Sequence, residues 1–122
     1  MIMEKKIKTH RDLEVWKLGI QLVMHTYTIS RNFPPEEKFG LSLQMRKSSV
    51  SVPSNIAEGA GRTSSKEDVN FLNFARGSLS ELETQNIICF ELGFIENIET
   101  SLLVIKRISL ILNALSKRIS NN

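Results

Sequence analysis

The sequence has few residues that interrupt helices and too few cysteines to cross-link the chain. Its 122 residues include one cysteine, three prolines and six glycines. Because proline and glycine are the main helix breakers, their scarcity favours long helices. The single cysteine, Cys89, excludes an intrachain disulfide and a metal site built from cysteines.

Long apolar runs are also missing, and none approaches the ~18 residues that a membrane-spanning helix needs. Met1 to Arg11 contains lysines but no apolar segment after them, so a secretory signal peptide is not expected. We therefore expect a cytoplasmic protein that does not bind membranes. The formal net charge of +3 permits contact with a polyanion without requiring it.

Apolar spacing and helix-breaking residues predict four helices in a single domain over residues 11–120, after a flexible lead-in at residues 1–10. The predicted helices cover residues 11–31, 36–58, 64–92 and 96–119. Pro34 and Pro35 separate the first two helices, and Gly93 suits a left-handed cap after the third. Since short connections join long helices, we expect an all-α, antiparallel up-down-up-down four-helix bundle.

The second helix contains Pro53, which removes a backbone donor and crowds the carbonyl of Ser49, so a kink is expected there. An alternative makes residues 49–52 a short strand, because valines alternate with serines. So short a strand without a partner is unfavourable, and the kinked helix is preferred. Gly59 and Gly61 are interpreted as the end of this helix, since no strand precedes them as in a phosphate-binding loop.

The last two predicted helices each have a main apolar stripe and further apolar residues away from it. The inward residues of the third helix are Leu72, Ala75, Leu79, Leu82, Asn86 and Cys89. Those of the fourth are Ile98, Leu102, Ile105, Ile108, Leu112, Leu115 and Ile119. Apolar residues that stand off these stripes are Phe74, Ile88, Leu103 and Leu110.

The first two helices carry two apolar stripes each, on nearly opposite sides. In the first helix the predicted inward stripe is Leu13, Trp16, Ile20, Val23 and Tyr27, and the opposite stripe is Val15, Leu18, Leu22 and Ile29. The two stripes of the second helix are Phe39, Leu43, Val50 and Ala57, and Leu41, Met45, Val52 and Ile56. Scattered exposed apolar residues would be ordinary. Continuous second stripes favour a subunit interface, so a homo-oligomer is predicted.

The residue types needed for catalysis do not occur at suitable spacings. His10 and His25 have no partner at metal-ligand spacing, and no histidine accompanies the serines. Glu81 and Glu83 do not face each other on a helix, and the Glu-x-x-His pattern of bundle di-iron sites is absent. We expect a protein that is not an enzyme and that holds no metal or cofactor.

Basic residues provide the candidate binding surface. The candidates for contact with nucleic acid are Arg46, Lys47, Arg62, Lys66, Lys106 and Arg107. An oligomer repeats the +3 charge of each chain and becomes a strongly positive assembly, able to hold RNA or DNA by its phosphates. The alternative is that these residues form an ordinary solvated surface.

Three stretches of the sequence form a long and specific pattern. They are DLEVW at 12–16, VSVPSNIAEG at 50–59 with Gly61 and Arg62, and FL at 71–72 with GSLSELETQ at 77–85. In these stretches the chain resembles the bacterial four-helix-bundle proteins first noticed as products of intervening sequences inside 23S ribosomal RNA genes, sometimes labelled S23 ribosomal proteins. The resemblance covers nearly the whole chain.

This resemblance implies a four-helix bundle that assembles into a ring-shaped homopentamer. A related protein, the accessory variability determinant of diversity-generating retroelements, is basic and is associated with a reverse transcriptase and with nucleic acid. The resemblance therefore also implies a link to nucleic acid. The ribosomal label does not imply a component of the ribosome.

The residues of the pattern have two interpretations. The set is Trp16, Pro53, Ser54, Asn55, Glu58, Arg62 and Glu81. In the first, they form a polar network that braces the kink or a subunit contact. In the second, they contact a ligand or nucleic acid directly. The expected function is a non-catalytic oligomer that associates with RNA or acts as a scaffold through basic surfaces. The alternative is an adaptor that docks a partner enzyme such as a reverse transcriptase.

Overall fold

A computed structural model of the protein describes residues 9–121, and the regular structure of these residues is helical throughout. Short 3₁₀ turns at His10–Asp12 and Pro35–Glu37 precede the first and second α-helices. The α-helices are α1 (Glu14–Ser30), α2 (Leu41–Ala60), α3 (Ser65–Glu91) and α4 (Glu99–Ser120).

The helices pack in the order in which they follow one another. Each helix contacts the next along the chain, and α1 also contacts α4. Within the described residues, the diagonal pairs α1 with α3 and α2 with α4 do not approach each other. The buried apolar side chains of all four helices form one core. These contacts confirm the all-α fold and are those of an up-down bundle.

The inward face of α1 is opposite to the predicted one. Its buried apolar residues are Val15, Leu18 and Leu22. Of the predicted inward stripe, Ile20 is 39% exposed and the others are half-buried: Leu13, Trp16, Val23 and Tyr27. The cause is the contact with α2, where a Cβ added at Gly19 would lie 3.1 Å from the Cβ of Pro53. Because Gly19 faces α2 and has no side chain, the two helices can approach closely. In this orientation the stripe that contains Val15, Leu18 and Leu22 faces the core.

α2 continues through Pro53 without interruption, so the short strand considered for residues 49–52 is wrong. Its core stripe is Met45, Val52 and Ile56, each 0% exposed. On the outer side, Leu43 is 36% and Val50 is 40% exposed. The ring of Pro53 is buried against Gly19 of α1, while the kink at Pro53 stays a prediction.

α2 begins at Leu41 rather than near the predicted Glu36. The segment Pro35–Glu37 forms its own 3₁₀ turn, which ends before Gly40. Glu37 Oε1 then accepts a hydrogen bond from the backbone N–H of Leu41 at 3.1 Å. Glu37 thus provides an acceptor for a free N–H group at the positively polarised N-terminus of α2, although Glu37 itself lies before the helix.

Both ends of α3 are capped. Ser64 is the N-cap, and its Oγ accepts a hydrogen bond from the Glu67 N–H at 3.3 Å. At the other end Gly93 has a φ of 80°, and the Phe94 N–H donates to the Cys89 carbonyl at 2.8 Å. This pairing is typical of a Schellman motif and confirms the left-handed cap.

The inward stripes predicted for α3 and α4 are confirmed. All six inward residues of α3 are buried: Leu72, Ala75, Leu79, Leu82, Asn86 and Cys89. In α4 the buried apolar residues are Ile105, Ile108 and Leu112, and the other predicted inward residues are half-buried. Leu103 is 66% and Leu110 is 59% exposed on the outer side. α4 starts at Glu99, later than predicted, and the Glu99 N–H donates to Asn97 Oδ1 at 2.9 Å.

Gly59 lies inside α2, which ends at Ala60 with Gly61 as its C-cap. A Cβ added at Gly59 would lie 2.9 Å from the Phe71 Cβ and 3.0 Å from the Asp68 carbonyl oxygen. Interpreting Gly59 as a helix terminator is therefore wrong. Its absent side chain allows α2 and α3 to pack closely at this end of the bundle.

The flexible lead-in predicted for residues 1–10 lies outside the described residues, except for Thr9 and His10. The His10 ring meets the Trp16 ring edge-on, with 5.1 Å between the ring centroids. Among residues 9–121, no helix combines the length and the apolar character that crossing a membrane requires.

Candidate nucleic-acid interface

The basic residues predicted to contact nucleic acid lie in three separate places. They are Arg46 and Lys47 in the N-terminal half of α2, Arg62 and Lys66 around the α2–α3 connection, and Lys106 and Arg107 in α4. Because a helix rises about 1.5 Å per residue, the first two places lie at opposite ends of the bundle. The structure therefore does not gather these residues into a single cluster.

Arg46 is held against α1 by two contacts. Its guanidinium carbon lies 4.5 Å from the centroid of the Tyr27 ring. Its Nε donates a hydrogen bond to Ser30 Oγ at 2.9 Å. Arg46 is half-buried and makes no ion pair with any described residue. Its charge is thus oriented by the fold but is not neutralised by a carboxylate.

Arg62 is held in a similar way but is neutralised. Its guanidinium carbon lies 4.8 Å from the centroid of the Phe71 ring in α3. Its Nη2 donates to Glu58 Oε1 at 2.6 Å, one helical turn earlier. A charge already paired with a carboxylate attracts phosphate less strongly than a free one. Arg62 is therefore a weaker candidate for nucleic-acid contact than Arg46.

The remaining candidates are exposed. Lys47, Lys66 and Lys106 make no ion pair within the described residues. Arg107 Nη2 lies 3.0 Å from Glu14 Oε1, and both side chains are largely exposed. Exposed pairs of this kind contribute roughly 0–1 kcal/mol, so this one links α4 to α1 only weakly.

A polar network connects α2 to α3 at the residue pattern. Asn55 Nδ2 donates to the carbonyl oxygen of Ser51 at 2.8 Å and to Ser51 Oγ at 2.9 Å. Ser78 Oγ of α3 donates to Ser51 Oγ at 2.7 Å. This geometry fits the interpretation of Asn55 as part of a bracing network. The roles of Ser51 and Ser78 were missed, because only the register between the helices places them together.

The other pattern residues have diverse surroundings. Trp16 is half-buried against the core, and Pro53 is buried against α1. Ser54 and Glu81 are exposed and have no hydrogen-bond partner among residues 9–121. These two side chains are free to contact another molecule, whereas Trp16 and Pro53 belong to the packing of one chain.

A histidine and a serine meet between α1 and α4, which the sequence did not suggest. His25 Nε2 and Ser101 Oγ share a hydrogen bond of 2.9 Å. Burial lowers the pKa of His25 below the usual imidazole value. Ser101 is 1% exposed, so its hydroxyl cannot reach a substrate carbonyl. The pair forms a structural link between the helices and lacks the access that a nucleophile needs.

Cys89 and the acidic residues do not form a metal site in the described part of the chain. No group of three histidine, cysteine, aspartate or glutamate side chains there is arranged to hold an ion. Cys89 is fully buried, and its Sγ lies 3.5 Å from Met45 Sδ. Burial, followed by the charge of Glu37, raises the pKa of the Cys89 thiol to about 11. A buried thiol of this kind is unreactive and acts as a small apolar side chain.

The sequence matches the family model described as 23S rRNA-intervening sequence protein over residues 11–117. This segment contains α1, α2, α3 and most of α4, together with every candidate basic residue. No curated protein matches the sequence.

Proposed function

The chain belongs to the 23S rRNA-intervening sequence protein family, and from this premise we propose that it is a non-catalytic homo-oligomer that associates with RNA through basic surfaces. The observation that carries the proposal is that four of the six candidate cations make no ion pair within the described residues. These four are Arg46, Lys47, Lys66 and Lys106. The ribosomal RNA genes in the family's name favour RNA over DNA as the polymer.

Salt dependence supplies the test of RNA binding. Fluorescence anisotropy with a labelled single-stranded RNA is expected to show binding at low salt that weakens steeply at moderate salt, because counterions released from phosphates drive the association. A DNA of the same sequence is measured in parallel. If neither polymer binds at low salt and high protein concentration, the proposed function is wrong.

A charge-matched pair of variants tests the surface itself. The double variant Lys66→Gln/Lys106→Gln removes two proposed contacts and is expected to weaken RNA binding by about tenfold or more. The control Arg76→Gln/Lys117→Gln removes the same charge at two exposed cations outside the proposed surface and is expected to change affinity by less than about threefold. Equal losses in both variants would show that net charge, rather than these positions, determines binding.

Self-association is proposed through the outer side of α1 and α2. Ile20 and Met24 of α1 are 39% and 62% exposed, and Leu43 and Val50 of α2 are 36% and 40% exposed. The close contact of Gly19 with Pro53 brings these two apolar stripes side by side. Lys47 lies between Leu43 and Val50 on the same side of α2, and Lys17 lies one helical turn before Ile20 on α1, so the apolar residues of this face are bordered by two lysines. A polar border around an apolar centre is typical of interfaces between subunits. The family resemblance further supports a homopentamer.

Native mass spectrometry and light scattering at micromolar concentration test this proposal. Met24→Glu and Val50→Glu are each expected to dissociate the oligomer, because each places a charge in the proposed contact. Leu103→Glu on α4 makes the same change at an equally exposed leucine and is expected to leave the oligomer intact. A wild-type chain that is monomeric at these concentrations contradicts the proposal.

An adaptor that docks a partner enzyme is the second candidate, and the outer face of α4 favours it. Leu103 and Leu110 are more than half exposed there. The basic residues beside them in α4 are Lys106, Arg107, Lys117 and Arg118. An apolar stripe bordered by cations suits an acidic amphipathic partner. A reverse transcriptase encoded beside the gene is expected to bind the wild-type chain and not Leu110→Glu, whereas equal binding to both would exclude this face.

A further inference from the structure

A cleft at the turn between α1 and α2 collects cations that the sequence did not group together. It has a volume of about 260 Å³, and its lining includes Arg31, Lys38 and Arg46. Ser30 and Ser42 also line it, and no carboxylate does. Because the Ser30 hydroxyl donates its hydrogen to the Tyr27 carbonyl oxygen at 3.4 Å, the groups available to an anion with several acceptor oxygens are the three positive side chains and the Ser42 hydroxyl.

Arg46 is the most constrained of these cations. Its guanidinium carbon lies 4.5 Å from the Tyr27 ring centroid and its Nε donates to Ser30 Oγ at 2.9 Å, so two contacts hold the guanidinium in place. The hydrogen bond uses Nε, so the two terminal nitrogens stay available for a bidentate contact. Because no described carboxylate neutralises this half-buried charge, it can attract an external anion.

The other polar groups of the cleft complete the site. Arg31 and Lys38 are exposed and make no ion pair with a described residue. Ser42 lies in the first turn of α2, and its hydroxyl has no hydrogen-bond partner among residues 9–121. The carboxylate of Glu37 is turned to the Leu41 amide and does not line the cleft. Repulsion of an anion by this carboxylate is thereby reduced.

The charge of the cleft limits what the anion can be. Phe33, Pro34 and Pro35 border the cations, so the polar groups share one small cleft at the turn between α1 and α2. Three cations with no carboxylate among them favour the more highly charged of two phosphates. A terminal phosphate carries up to two negative charges, against one for an internal phosphate.

We propose that this cleft binds the terminal phosphate of an RNA strand, with Arg46 as the bidentate contact and Lys38, Arg31 and Ser42 as further donors. The inference rests on the proposed RNA binding and adds to it a preference for phosphorylated ends. The cations of the cleft would thus select which RNA molecules the oligomer holds.

The test compares two RNA strands that differ only at the 5′ end. Full-length protein is titrated into a 3′-labelled RNA bearing either a 5′-monophosphate or a 5′-hydroxyl, at one ionic strength. The wild-type chain is expected to bind the phosphorylated strand about tenfold more tightly, the effect of one strong charge-assisted contact. Inorganic phosphate at millimolar concentration is expected to abolish the difference without releasing the hydroxyl-ended RNA.

Variants assign the preference to the cleft. Arg46→Lys keeps the charge but loses the planar fork, and is expected to reduce the tenfold preference to about threefold or less. Lys38→Gln changes an exposed side chain, so the fold is retained, and a similar reduction is expected. Lys117→Gln removes the same charge at an exposed lysine in the last turn of α4 and is expected to leave the preference unchanged.

The outcomes separate this inference from the function on which it rests. If both RNA strands bind equally, the terminal-phosphate site is wrong while RNA association stands. If inorganic phosphate shifts the Arg46 side-chain NMR signal but the two strands still bind equally, the cleft holds free phosphate rather than an RNA end, and the inference is again wrong. If neither strand binds, both proposals are wrong.

Discussion

Two arginines lie near opposite ends of α2, and each rests on an aromatic ring of a neighbouring helix. Arg46 lies 4.5 Å from the Tyr27 ring centroid, and Arg62 lies 4.8 Å from that of Phe71. The hydrogen-bond partners of the two guanidinium groups differ, because Arg46 donates to the hydroxyl of Ser30 whereas Arg62 donates to the carboxylate of Glu58. The same stacking thus orients both charges, but only the charge of Arg46 is left for another molecule.

The packing around the two arginines also differs, because the helices pack more closely beside Arg62 than beside Arg46. Beside Arg62, the absent side chain of Gly59 lets α2 close against α3. Beside Arg46, the chain turns away through Pro34 and Pro35 and leaves an open cleft. We infer that the end of α2 at Arg62 contributes mainly stability and the end at Arg46 mainly binding. The predictions below test this division.

The largest expected effect is a loss of stability at the end of α2 near Arg62, where α2 and α3 pack closely. Gly59→Ala places a Cβ within 3.0 Å of atoms of Phe71 and Asp68, so the helices must separate. We expect a loss of about 2 kcal/mol in the free energy of unfolding, measured by urea denaturation at fixed protein concentration. Gly77→Ala is the control, since nothing lies within 4 Å of its Cβ. That change is expected to stabilise the protein by about 0.5–1 kcal/mol.

The second prediction compares the two arginines directly. Arg46→Gln is expected to weaken RNA binding by about tenfold, or about 1.4 kcal/mol, because it removes a charge without a carboxylate partner. Arg62→Gln is expected to weaken binding by only about twofold, because Glu58 already neutralises that charge. The measurement is anisotropy at several salt concentrations, where the salt slope should fall by about one for Arg46→Gln alone. Equal losses would contradict the division between the two ends.

Much of the fold could be predicted from periodicity, and the exceptions have a physical cause. In α3 the predicted inward residues are those that the structure buries. In α4 Ile105, Ile108 and Leu112 are buried as predicted, whereas the buried Ser101 and Ser116 were not predicted. In α1 the two stripes are equally apolar, so periodicity could not choose between them. The choice depends on the close contact of Gly19 with Pro53, which involves two helices and leaves no trace in the pattern of either one.

Less of the candidate site could be predicted from the sequence, because it too depends on contacts between helices. Basic residues could be counted, and Arg46 and Arg62 were both identified as candidates. Which of them is neutralised depends on side chains that only the three-dimensional register brings near. The Glu58–Arg62 pair has the spacing of one helical turn and could have been found. The contact of Arg46 with Ser30 crosses two helices, and spacing along one helix cannot predict it.

The third prediction removes the difference between the two arginines by leaving Arg62, like Arg46, without a carboxylate partner. Glu58→Gln removes the carboxylate from Arg62 and leaves its stacking on Phe71 in place. RNA affinity is expected to rise about two- to threefold, since an oriented charge becomes available. Stability should change by no more than about 0.5 kcal/mol, because the pair is exposed and spans a single helical turn. An unchanged affinity would place Arg62 outside the RNA-binding surface altogether.

The smallest expected effect concerns two serines of α2. Ser42 lines the open cleft, and its hydroxyl has no partner among residues 9–121, so Ser42→Ala should change the free energy of unfolding by less than about 0.5 kcal/mol. Ser51 accepts hydrogen bonds from Asn55 and Ser78, so Ser51→Ala should cost about 1 kcal/mol. The same substitution on one helix thus separates a hydroxyl that braces the bundle from one that is free to bind. Urea denaturation of both variants measures the difference, and a larger loss for Ser42→Ala would show that the cleft is part of the packing rather than a binding site.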